Sequence, residues 1–272
     1  MWKREAAYHF FRMVLSLTIV GIRIFFFLIS VLIIFTSNDI IILTFTPFLC
    51  YFCKRCKISP LPYLIREFVA ANTWSSLLII GNPTNIYLAS YENISSFFNW
   101  SRWLIALCFA LSLLLFSLIY SLVAKENHIV PTLKRIPYNL IPFVLSRFIL
   151  VLAINETGVS YHIRQGLQGT DQVFSYGLSG LLTANLINNI PMAVFYSTLL
   201  IKAETNAIYA SIIASNVAAF FTPIGALAGL RWMNLLKKQD IKRNYLTFIR
   251  YCAPICIPTL LSRISLLEIL PF

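Results

Sequence analysis

Most of this chain consists of apolar stretches long enough to enter or cross a bilayer, and several are broken mid-way by Asn, Gly, Pro or Thr. A helix needs about 20 mostly apolar residues to span the hydrocarbon core. Three runs, 103–124, 138–154 and 248–270, read as ordinary crossings, the last with Arg250 and Arg263 near its ends. Two more, 65–90 and 207–230, are long enough but carry Gly, Pro, Asn and Thr in the middle, which predicts broken helices. The remaining segments come in pairs split by a few polar residues: 13–35 with 40–52, and 173–186 with 190–201. Several are too short to cross and return, so each pair is predicted to form a re-entrant helical hairpin with its polar tip at membrane depth. Segment 13–35 is itself long enough to cross, although Arg23 would be costly against lipid. Arg23 and the lack of a small-residue cleavage site also argue against a signal peptide. Composition agrees: 58% of the 272 residues are hydrophobic and 12% charged, with a mean hydropathy of +0.76. A soluble domain carries about a quarter charged residues. A soluble enzyme, a secreted disulfide scaffold and a disordered chain are therefore excluded.

The net charge of +12 would suit nucleic acid only if the basic residues shared one exposed face. Instead they lie between the apolar runs, in four clusters. These are Lys3, Arg4 and Arg12; Lys54, Arg55, Lys57 and Arg66; Lys125, Lys134 and Arg135; and Arg231, Lys237, Lys238, Lys242 and Arg243. Cytoplasmic loops are enriched in such residues. With all four clusters in the cytoplasm, the loops left outside, 91–101 and 155–172, carry only Arg102 at one margin and Arg164. One orientation satisfies every loop. The expectation is a multi-pass plasma-membrane protein whose partner is the lipid bilayer and not nucleic acid.

Two stretches repeat in kind and order. Thr36-Ser37-Asn38-Asp39 marks one hairpin tip and Gly81-Asn82-Pro83-Thr84-Asn85 the interrupted span after it. Asn185 to Pro191, with Asn188 and Asn189, marks the second tip, followed by Ser215-Asn216 and Thr222-Pro223-Ile224-Gly225. An odd number of crossings separates the tips, so the repeats should be inverted, the pattern that points to a transporter's midplane binding site. Unwound turns free backbone N–H and C=O groups, which persist in a membrane only around a cavity or a partner. Candidate ligands for an ion or small solute are Asn38, Asp39, Gly81, Asn82, Thr84, Asn85, Asn188, Asn189, Ser215, Asn216 and Thr222. Asp39 is the one carboxylate at the tips and breaks, readable as a cap facing cytoplasmic water or as a ligand for coupling H⁺ or Na⁺.

At these residues the sequence resembles the ion transporter superfamily, closest to its arsenite permease and NhaD-type branch. The matching text is Ser37 to Phe48, Ala71 to Ser75 running into Ile80 to Ile86, Asn188 to Met192, Ser215-Asn216, and Thr222 to Gly229. The resemblance implies an all-α, elevator-type carrier in which two hairpins and two broken helices move against scaffold helices. It further implies efflux of arsenite or antimonite, or exchange of Na⁺ or an anion, driven by an ion gradient, and a dimer interface on the scaffold. Family members carry several scaffold helices before the first hairpin, so the resemblance implies an N-terminally shortened chain, either completed by the missing fragment as a partner or an inactive truncated remnant. The expected organisation is 1–90 and 156–235 as the two transport repeats, 91–155 as scaffold and linker, and 236–272 as a basic loop with a terminal helix.

Cys50, Cys53 and Cys56 are spaced like soft-metal ligands, but a structural zinc site wants four ligands, and packing or incidental thiols is the simpler reading. His9, His128 and His162 are scattered and assemble no metal pair or catalytic dyad. Without a Gly-rich phosphate loop or paired catalytic carboxylates, an enzyme is not expected. No cofactor is expected beyond a coupling ion. Energy would come from an ion gradient or a partner ATPase.

Overall fold

The computed structural model describes residues 27, 29–33, 36–55, 58–76, 81–91, 140–241 and 244–269. They are helical, with no strand among the described residues. In chain order the helices are α1 (Asn38–Arg55), α2 (Leu61–Trp74), α3 (Pro83–Tyr91), α4 (Leu140–Glu156), α5 (Val159–Gln168), α6 (Gln172–Ile187), α7 (Asn189–Leu199), α8 (Thr205–Val217), α9 (Leu227–Lys238) and α10 (Tyr245–Ile269). Local chemistry sets most of the ends. The Asn38 side chain accepts from the Asp39 N–H at 2.8 Å to open α1, whose last turn carries Lys54 and Arg55 against the helix dipole. Prolines at 60 and 62 start α2 where no N–H is needed, and Asp171 caps α6 by accepting from Phe174 N–H at 3.2 Å.

Both interrupted spans are broken where Gly and Pro predict. The first is α2, a turn at Ser75-Ser76, then Gly81-Asn82 leading into α3. The second is α8, a 3-10 turn over Ala218–Phe220 and an irregular stretch, then α9. The second polar tip is equally clear: α6 and α7 pack together and meet at Asn188, whose φ of 80° and ψ of 154° stop one helix and start the next. Of the first pair, α1 is described together with helical residues 27 and 29–33; the rest of 13–35 and the crossing at 103–124 lie outside the described residues.

Packing couples the two halves crosswise. Helix α1 lies against α2 and α9, and α7 lies against α8 and α3, so the second arm of each hairpin touches both the first half of its own broken helix and the second half of the other. Helices α6 and α8 come closest. A Cβ on Gly180 would stand 3.0 Å from Ala214 Cβ, and one on Gly177 would stand 3.0 Å from Ile264 of α10. In a membrane, where lipid competes for apolar contact, such small residues let backbones approach and bind by dispersion. The outer surface is correspondingly apolar: Leu186 is 73% and Ile149 66% exposed. Among the described residues one helix, Tyr245–Ile269, is long and apolar enough to cross a bilayer on its own.

Segment 155–172, expected as an outside loop, is mostly the helix α5, with no buried residue. Its glycines at 158, 166 and 169 and its polar faces leave no apolar run to mark it. Arg263 is not a solvated helix-end charge either, but reaches into the bundle.

Candidate functional site

The two broken helices meet through their polar residues. Asn216, at the end of α8, accepts on Oδ1 from Ser75 Oγ and Asn82 Nδ2, both at 3.0 Å. Its Nδ2 donates to Asn85 Oδ1 at 2.6 Å and to the Ile212 carbonyl at 2.8 Å. Beside it, Thr84 Oγ1 and Ser215 Oγ are 3.1 Å apart, and Asn85 Nδ2 donates to the Ser75 carbonyl at 2.9 Å. All six side chains are buried. Partners 131 to 141 residues apart thus share one buried polar cluster, in which each side chain has the bond that a membrane would otherwise deny it. Two glycines make the breaks compact enough for this. A Cβ on Gly81 would stand 2.1 Å from the Ser75 carbonyl oxygen, and one on Gly225 would stand 2.2 Å from the Ala218 carbonyl oxygen.

The hairpin tips flank this cluster and form separate sets. At the second tip, Asn188 Nδ2 donates to the Ile224 carbonyl at 3.0 Å, and the Asn189 N–H donates to the Gly225 carbonyl at 2.9 Å. Thr222 donates to Asn185 Oδ1 from both its N–H (3.1 Å) and its hydroxyl (2.6 Å). Asn189 Oδ1 is buried without a hydrogen-bond partner. At the first tip, Asn38 Nδ2 donates to Asn72 Oδ1 at 2.9 Å, and Asn72 Nδ2 to the Phe68 carbonyl at 2.8 Å. Asp39 is not a free cap: its Oδ2 is 2.7 Å from Arg231 Nη1, an ion pair between α1 and α9. Of the expected residues, Gly81, Asn82, Thr84, Asn85, Ser215 and Asn216 come together; Asn188, Asn189 and Thr222 gather at one tip, and Asn38 and Asp39 at the other.

Several residues that complete these sets are not among the candidate ligands read from the sequence. Ser75, Asn72 and Asn185 are short polar groups in apolar runs and carry a readable, weak signal. Arg231 and Arg263 carry none locally. Arg263 of α10 donates to Ser76 Oγ at 2.6 Å and to the Thr73 carbonyl at 3.0 Å, serving the C-terminal end of α2, where intrahelical partners run out. Glu67 was legible, as an acid inside the apolar run 65–90, and is fully buried. Cys50, Cys53, Cys252 and Cys256 are buried thiols, and Cys256 Sγ contacts the Val217 carbonyl at 3.5 Å. Among the described residues no group of three His, Cys, Asp or Glu side chains could hold a metal. His9, His128 and Cys56 lie outside the described residues, and His162 sits on exposed α5.

Comparison with known proteins places this architecture. The arsenical pump membrane protein of Escherichia coli (strain K12) is 25% identical over 169 residues, covering 56% of this chain and 39% of that protein. That of Yersinia enterocolitica is 25% identical over 166 residues, covering 54% and 38%. The putative arsenical pump membrane protein of Bacillus subtilis (strain 168) is 29% identical over 132 residues, covering 43% and 29%. The matches thus span less than two fifths of the length of these curated relatives. No solved structure matches the chain. The citrate transporter profile, CitMHS, matches residues 7–225, which include both breaks, both tips and every residue of the polar cluster. The chain is therefore a membrane protein that belongs to the citrate transporter family.

Proposed function

We propose that this chain is a secondary active transporter of a small inorganic solute, carrying arsenite or antimonite outward across the plasma membrane at the expense of an H⁺ or Na⁺ gradient. The observation that carries the reading is the buried cluster in which Asn82, Thr84 and Asn85 of one broken helix bond to Ser215 and Asn216 of the other. Neutral oxygens and amides so placed can replace the hydration of As(OH)₃ or of an ion. The matched breaks, each with a glycine against the carbonyl that ends the preceding helix, and the crosswise packing of the hairpin arms support a pair of inverted repeats. In that arrangement hairpins and broken helices form the moving body, and α4 and α10 belong to the surround. The names of the relatives favour an arsenical substrate.

A second reading is exchange of an anion or of Na⁺ for H⁺; the anion is favoured by α9, which begins at a break with N-terminal N–H groups that suit negative charge. The test is flux in vesicles holding the full chain. Labelled arsenite should leave wild-type vesicles faster than empty ones, and Asn216→Ala should abolish the difference. Absence of flux from the intact chain, alone and with a supplied N-terminal fragment or ATPase, would sink the transport reading. Citrate uptake, or collapse of a pH gradient on adding Na⁺, without arsenite flux would establish the second.

A further inference from the structure

A second acid lies at the junction of α1, α2 and α9, away from the polar cluster. Glu67 of α2 is 0% exposed, and both its carboxyl oxygens face Thr46 Oγ1 of α1, at 3.1 and 2.9 Å. Trp232 of α9, beside it, packs with Phe68 and with Phe248 of α10, the ring centroids 5.0 to 5.6 Å apart. The Trp232 indole is the other polar group beside it, short of a formed hydrogen bond. Among the described residues no cation pairs with it. On α9, Arg231 is held by Asp39; on α10, Arg263 is held by Ser76 and Thr73 at the far end of α2. On α2 itself, Arg66 lines an outer groove with Val69, Thr73 and Ile255. From α1 the facing titratable groups are the buried thiols of Cys50 and Cys53, with Lys54 at the helix end committed to the Gln239 carbonyl. Helix α8 and the turn after it face α2 with uncharged side chains.

The contrast with Asp39 matters. Asp39 has an arginine at 2.7 Å to hold its negative charge, whereas Glu67 has one hydroxyl, which has a single hydrogen to give to two oxygens. A neutral acid makes the same contact by donating its own O–H to Thr46, and leaves no charge in a fully buried junction. The seam that covers it is also the one the ion pair closes. Asp39 and Thr46 lie seven residues apart on α1, and Arg231 and Trp232 are adjacent on α9. Parting α1 from α9 breaks the ion pair and opens Glu67 to water in one movement.

We propose that Glu67 is the proton-binding carboxyl of this carrier, taking one proton from water when the α1–α9 seam is open and holding it as the neutral acid when the seam is closed. The inference rests on the transport reading and adds the coupled ion and the atom that carries it.

The test uses the full chain in lipid vesicles, read by infrared spectroscopy and by flux. Wild type should show the carbonyl stretch of a protonated carboxylic acid that Glu67→Gln lacks and Asp39→Asn keeps. In flux, a pH gradient should accelerate arsenite efflux by wild type, and Glu67→Gln should lose that response. Should Glu67→Gln not fold, Glu67→Asp keeps an acid and should shift the pH at which the wild-type band and flux change. A spectrum in which no protonated acid disappears with Glu67→Gln, at any pH, overturns the proposal. So does a Glu67→Gln flux that still follows the pH gradient. If no variant transports, the transport reading fails by itself, and the infrared band alone decides whether Glu67 binds the proton.

Discussion

Asn188 shows how much a single residue does here. Its φ of 80° with ψ of 154° lies in a region that side chains avoid, at a cost on the order of 1–3 kcal/mol. Its amide offsets part of that cost through the Ile224 carbonyl and the Ile190 N–H. Both Asn188→Gly and Asn188→Ala lose those bonds, but only glycine also sheds the strain. Alanine should therefore lower the thermal midpoint in detergent further than glycine, by a difference of about 1 kcal/mol. At Gly225 the problem is space and not dihedral: the methyl of Gly225→Ala would collide with backbone at Ala218 and with Asn185 Oδ1. That substitution should cost about 2 kcal/mol or more in the same measurement and displace the second break. A Gly225→Ala protein as stable as wild type would mean that the break is not packed as described.

Helix ends are where this sequence is easiest and hardest to read. The breaks and the second tip were legible because Gly, Pro and Asn interrupt a membrane helix at a cost, and inside an apolar run they stand out against Leu, Ile and Phe. What satisfies the helix ends and tips was not legible, because it comes from far away: Arg263 reaches the Thr73 carbonyl across 190 residues, and Arg231 reaches the Asp39 carboxylate across 192. No local pattern announces such a pairing. Glu67 differs again: it sits in a helix interior, away from any tip or break, and its lack of a cation partner among the described residues is set by the packing of three helices. Helix α5 escaped because a polar surface helix makes no apolar run. If Arg263 stabilises the end of α2, Arg263→Met should cost about 1.5–3 kcal/mol. It should also raise amide hydrogen exchange over 71–76 while leaving α6 protected. Arg263→Lys should recover part of the loss, because one ammonium cannot reproduce the two-pronged contact.

Across the whole molecule, the bonds between the two halves make a stronger test than any single helix. In a background without native cysteines, Thr84→Cys with Ser215→Cys should cross-link on mild oxidation, since the hydroxyls they replace are 3.1 Å apart, and the link should arrest flux until it is reduced. Orientation has its own check: a cysteine at Asn99 should react with an impermeant reagent added outside cells, and one at Lys238 should not. The cluster around Asn216 has one more consequence. Its amide is fully used, with two donors on the oxygen and two acceptors on the nitrogen, so under the proposed function a solute that binds there trades one bond for another. Each such trade is close to neutral, because a net hydrogen bond contributes only about 0.5–1.5 kcal/mol. Calorimetry should therefore find small heats and shallow binding, a surface on which cargo is quickly taken and as quickly let go.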